Sequence, residues 1–85
     1  MPTISMFYGI IIRMYVDDHN PPHIHAIHQN HTATFDFDGN LLEGTMPAKH
    51  QKMIKAWIAI HEDELMANWQ LALNKENLFK IDPLR

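Results

Sequence analysis

Alternation of apolar and polar residues dominates the first half of the chain, and helical spacing dominates the second. Over residues 8–16 the chain is rich in β-branched and aromatic residues, with Tyr8, Ile10, Ile12, Met14 and Val16 on one side of an extended backbone. Gly9, Ile11, Arg13 and Tyr15 take the other side, and the apolar Ile11 there predicts a central or doubly covered strand. Residues 1–6 read as a short lead-in. A second strand is expected over 23–29, and a tight connection at Gln29-Asn30 leads into a third over 31–38. In that third strand Ala33, Phe35 and Phe37 alternate with Thr32, Thr34, Asp36 and Asp38, the pattern of one core face and one wet face. Asp38-Gly39-Asn40 is a turn signal because glycine and asparagine tolerate positive φ, so residues 41–44 return as a short fourth strand.

Thr45 suits an N-cap and Pro47 a first helical turn, where a missing amide proton costs nothing. The apolar stripe that follows changes phase. Met53, Ile54, Trp57 and Ile60 share one helical face, whereas Leu65, Met66, Trp69 and Leu73 cluster roughly 130° away at 100° per residue. One straight helix cannot bury both sets, so two are expected, about 46–60 and 62–74, broken near His61. Glu62, Asp63 and Glu64 fit the start of the second, where acidic side chains favour the helix dipole. Leu78, Phe79, Ile81 and Leu84 make an apolar tail that should dock back, with an edge strand as one form of docking and Pro83 limiting further pairing.

The expected architecture is therefore α+β: an antiparallel meander of about four short strands packed against two helices, in a single domain over 1–85. A chain this short buries only about 60–65% of its unfolded surface, leaving room for one thin core. It contains no cysteine, which removes disulfides and thiolate metal sites and makes the cytoplasm the natural compartment. The run Ile10-Ile11-Ile12, closed by Arg13, is far below the ~20 apolar residues that cross a bilayer, so no membrane association is expected. A net charge of −3 with histidines neutral argues against a dedicated nucleic-acid binder, although seven histidines make that charge sensitive to mild acid.

Those histidines concentrate in Asp17-Asp18-His19-Asn20-Pro21-Pro22-His23-Ile24-His25. Residues two apart in a strand share a side, so His23 and His25 can present two imidazoles to one phosphate or one metal ion. The two prolines restrict the backbone and pre-organise the loop. Three chemistries follow. As acid and base, His19, His23 and His25 suit metal-independent RNA cleavage. As ligands of a divalent transition metal they would draw on Asp17 or Asp18 for oxygen, although the spacing matches no standard zinc signature. In the third reading Asn-Pro-Pro is simply a rigid turn whose histidines bond to backbone or meet water. His50 and His61 flank Trp57 near the first helix's stripe and are candidate contributors. Lys49, Lys52 and Lys55 run along that helix's polar side, as phosphate or partner contacts or as a solvated face.

Several stretches together resemble a small bacterial family catalogued as domain of unknown function 4160. They are Met1-Pro2-Thr3-Ile4-Ser5, Phe7 to Tyr15, Asp18-His19-Asn20-Pro21-Pro22-His23-Ile24-His25, Leu41-Leu42-Glu43-Gly44, Trp57, Glu64-Leu65, Asn68-Trp69 and Ile81-x-Pro83-Leu84. Asn-Pro-Pro-His-x-His is the most specific of them. Members of that family often lie beside another short gene with an antitoxin-like product. The resemblance thus implies one component of a toxin–antitoxin-like pair, acting on RNA or a translation factor, with a small protein partner encoded nearby. A non-enzymatic interaction module and a histidine metal-binding protein are the alternatives, and an open sheet edge would also permit a homodimer.

Overall fold

The computed structural model describes residues 2–16 and 19–85. Five strands come first: β1 Thr3–Phe7, β2 Ile10–Arg13, β3 His23–His28, β4 His31–Asp36 and β5 Leu41–Gly44. Two helices follow, α1 Ala48–Ile60 and α2 Glu62–Leu73. The strands form one antiparallel sheet in the order β1-β2-β3-β4-β5, a simple meander. The α+β architecture is as the alternation and the helical spacing predict.

The extra strand is the first correction. Residues 3–7 are no lead-in but pair with Ile10–Arg13, placing Phe7 opposite Ile10 across a two-residue turn. Tyr8 and Gly9 both have positive φ, 50° and 77°, which a tight hairpin between right-twisted strands requires. Tyrosine is an unusual first residue for such a turn, so the apolar run concealed it. As a consequence Tyr8 is 60% exposed, and Val16, beyond the end of β2, is also exposed. Ile10, Ile12 and Met14 hold the core side as expected. β2 is an interior strand, with β1 on one side and β3 on the other.

The core lies between one sheet face and the helices. Ile10, Ile12, Ile24, Ala26, Ala33 and Phe35 cluster there with Ile54, Trp57, Ile58, Leu65 and Trp69. Phe7 meets Trp57 at 5.4 Å between ring centroids, and Phe37 meets Trp69 edge-on at 6.2 Å.

The helices separate at His61, but not because the stripe changes phase. Ile60, Met66 and Leu73 are exposed, and Ile58, Asn68 and Ala72 are buried in their place. With that substitution the buried positions keep i, i+3, i+4 spacing straight through both helices. The interruption is the backbone of His61 alone, at φ −112° and ψ 25°. Its N–H still donates to the Trp57 carbonyl and its own carbonyl accepts from Leu65 N–H, so the hydrogen-bond ladder runs through the bend.

The start of α1 differs in detail from expectation, whereas α2 stops at Asn74 as expected. Thr45 does not cap α1; its N–H donates to the Thr32 carbonyl, and α1 begins after Pro47 with no side-chain cap. After Asn74, Lys75 adopts a left-handed φ of 58°, and Lys75 and Glu76 donate back to the carbonyls of Ala72 and Leu71. This is the paired closure of a Schellman turn, built without glycine.

The tail docks without forming a strand. Buried Asn68 exchanges two hydrogen bonds with the Phe79 backbone, Trp57 Nε1–H donates to the Asp82 carbonyl, and Ile81 N–H donates to Ile4. Ile81 and Leu84 thereby join the core beside β1. The other sheet edge, β5, carries no such cover, and all four of its residues are exposed.

Candidate functional site

Strand parity and cross-strand register build the site. On β3, Ile24 and Ala26 point into the core, so His23 and His25 belong to the opposite set. His25 lies between Arg13 of β2 and Thr34 of β4. His23, the first residue of β3, lies opposite Asp36. The Asn20–Pro21 peptide is cis.

His23 is the centre of the cluster. Its ring centroid is 5.3 Å from His19, 5.2 Å from His25 and 5.5 Å from Trp69, and it is only 3% exposed. His23 Nδ1 lies 2.7 Å from the Pro21 carbonyl, which can only accept, so Nδ1 carries a proton. Tyr15 meets the His25 ring at right angles, 4.3 Å away.

Two grooves open on this side of the sheet. One, about 360 Å³, is lined by His19, Pro21, His23, His25, Leu42 and Glu43, among others. The second, about 380 Å³, runs across the strands past Arg13, Tyr15, Ile27, Thr32 and Gly44. They share His25, Thr34 and Glu43 and so form adjoining halves of one concave surface. Gly44 is required there: at φ +85° a Cβ would lie 2.1 Å from the Thr32 carbonyl oxygen.

The family model of a domain of unknown function (DUF4160) matches residues 9–70. The chain belongs to the DUF4160 family. No curated protein and no solved structure matches it. The matched span of this DUF4160 chain contains every residue lining the two grooves and leaves out β1 and the tail.

The remaining candidates are dispersed. His50 packs against His28 at the far end of β3, with ring centroids 4.0 Å apart. His61 lies beside Trp57 and donates from Nδ1 to Glu64 at 2.6 Å. Lys49, Lys52 and Lys55 are exposed on α1, in the helical layer, and the Lys55 stem lies over the Gly39 turn. Asp17 and Asp18 lie outside the described residues. Among the described residues, no group of three or more His, Asp or Glu side chains is arranged to hold a metal ion, and no helix is long and apolar enough to cross a membrane.

Sequence reasoning missed Arg13, Tyr15, Thr34 and Glu43. The alternation did place Arg13 and Tyr15 together on the side away from Ile10 and Ile12. What was absent was the register that sets Arg13 beside His25, which depends on how far the 14–22 connection reaches.

Proposed function

We propose that this DUF4160 protein acts on RNA through His19, His23 and His25, as one component of a toxin–antitoxin-like two-gene module. The observation that carries the reading is the His23–His25 pair, 5.2 Å apart along one groove, with the His23 proton held on Nδ1 by Pro21. Two imidazoles at that separation suit the two proton transfers of phosphodiester cleavage. His23, as the base, takes the proton of the ribose 2′-hydroxyl as that oxygen attacks phosphorus. The P–O5′ bond breaks, and protonated His25 supplies the proton to the departing 5′-oxygen. The products are a 2′,3′-cyclic phosphate and a free 5′-hydroxyl. His19, exposed at the mouth, contacts the substrate on entry. This chemistry favours RNA over a translation factor, and it needs no metal.

Incubating the purified protein with single-stranded RNA and analysing the new ends tests the reading. Cyclic phosphate ends that disappear in His23→Ala and His25→Ala support it. Intact RNA, together with a growth phenotype unaffected by both substitutions, would refute it.

A second reading rests on β5. Its four exposed residues, Leu41 and Leu42 included, form an open edge that an added strand can pair with. In this reading the product of the neighbouring short gene, or a second copy of this chain, binds along β5 beside Leu42 and Glu43 of the groove. Co-purification with that product, lost on Leu42→Pro, distinguishes it from self-association.

A further inference from the structure

Among the described residues, Arg13 is one of four whose side chain buries a polar atom without a hydrogen-bond partner. It ends β2 on the groove side and is half-buried, and its Nε atom is sealed from solvent with no hydrogen-bond acceptor. Among the described residues, no carboxylate forms an ion pair with it. A guanidinium is always charged and presents donors in a planar fork, so a buried N–H of that fork without an acceptor is costly. Structural arginines remove that cost with a carboxylate or a carbonyl. Arg13 also lines an open groove of about 380 Å³.

The surroundings select the kind of acceptor. His25 is directly across on β3, and Thr34 follows it across on β4, so a cation, an imidazole and a hydroxyl lie in one row over three strands. Thr32 adds a second hydroxyl, and Gly44 keeps the groove floor clear of side chain. A tetrahedral oxyanion takes several donors at once, two of them from a guanidinium fork. Glu43 at the border of both grooves disfavours a bare polyanion but can accept from a ligand that also carries hydroxyl donors.

We propose that Arg13, with His25 and Thr34, forms a phosphate-binding site on the uncovered sheet face, and that its ligand is a phosphate ester bearing hydroxyls, as in a ribonucleotide chain. The ribonucleotide identity rests on the RNA reading above; the oxyanion site does not. Arg13 is then the anchor that fixes one phosphate next to the His23–His25 pair, and the adjoining groove receives the neighbouring sugar.

Arg13 and Arg85 are the only arginines, so side-chain Nε–H resonances of the whole ¹⁵N-labelled protein are readily assigned. Titration with inorganic phosphate should shift the Arg13 signal saturably and leave Arg85 unmoved. A short single-stranded oligoribonucleotide should do the same at about tenfold lower concentration or better, ahead of the matching deoxyribonucleotide. Arg13→Lys should weaken phosphate binding about tenfold, since it keeps the charge and loses the fork, and Arg13→Gln should abolish it. An Arg13 resonance unmoved by phosphate, or equal binding by Arg13→Gln, overturns the proposal. If phosphate binds at Arg13 and RNA stays intact, the site stands and the cleavage reading falls. If RNA is cut equally well by Arg13→Gln, the cleavage reading stands and Arg13 as the substrate's anchor falls.

Discussion

The two ends of β3 carry the same residue type in opposite circumstances. At its start, His25 is half-buried on the face away from the helices and His23 is buried against Trp69, both along grooves that also hold Thr34 and Glu43, with Arg13 beside His25. At its end, His28 falls on the core side, stacked on His50 of α1 at an interplanar angle of 32° and covered by the Tyr8–Gly9 turn. Nδ1 of both His28 and His50 is buried without a partner. The difference is one of parity, since an odd number of residues separates one face of a strand from the other. A histidine count therefore says little about chemistry; what distinguishes His23 and His25 from His28 is that their rings border a groove.

The largest expected break in this comparison is functional. His23→Ala and His25→Ala should each lower the proposed RNA cleavage by about 10²–10⁴-fold, the usual worth of a positioned acid or base. His28→Ala should leave cleavage within a few-fold when measured on the folded fraction. Equal losses at both ends of β3 would mean that the histidines act only through the fold.

Two glycines sharpen the contrast structurally. Gly44→Ala drives a methyl into the Thr32 carbonyl under the groove and should cost roughly 2–5 kcal/mol in denaturant unfolding. Gly9→Ala meets the His28 ring at an ordinary 3.5 Å, so only its left-handed backbone is penalised, by about 1–2 kcal/mol.

Acid should separate the ends further. Burial, and then the neighbouring His28, Lys49 and His31, hold the His50 pKa below the usual histidine value. The unfolded chain then binds a proton that the folded one resists, so this contribution is complete above about pH 6.5 and is lost as pH falls below it. Thermal melts from pH 7.5 to 5 should show Tm falling, and His50→Leu should flatten that slope. An unchanged slope in the variant would remove His50 as its source.

The smallest effect belongs to the turn beside His23. Burial by itself would raise the Asp36 pKa, but hydrogen bonds from the Asn40 backbone and side chain and from the Asp38 and Gly39 backbones outweigh it and lower the value. That stability is present above the ordinary carboxyl pKa and disappears as pH falls through the lowered one, well below the His50 range. Asp36→Asn should cost about 1 kcal/mol near neutral pH and leave the slope between pH 7.5 and 5 intact.

Much of the fold was legible because it is written in short-range spacing. Ala33 and Phe35 against Thr32, Thr34 and Asp36 defined both faces of β4, which ends at Asp36, two residues before the expected 38, and β5 was bounded correctly by Gly39 and Gly44. Trp57 and Trp69 were readable as core. The hairpin at Tyr8–Gly9 was not, because a tyrosine with positive φ looks in sequence like one more strand residue. Nor were the outward Ile60, Met66 and Leu73, since hydrophobicity does not report which side of a helix the sheet will occupy.

By itself, then, the chain determined its element types, the turn after β4 and the stiff His-Asn-Pro-Pro-His-x-His segment. These depend on local sterics and on the period of apolar residues, which operate within a few positions. Tertiary structure alone decided that Arg13 stands beside His25, that His50 belongs with His28, and that the tail covers β1 but leaves β5 open. Those outcomes depend on strand register and on which surfaces remain after the helices have packed, and they join residues 12 to 77 positions apart.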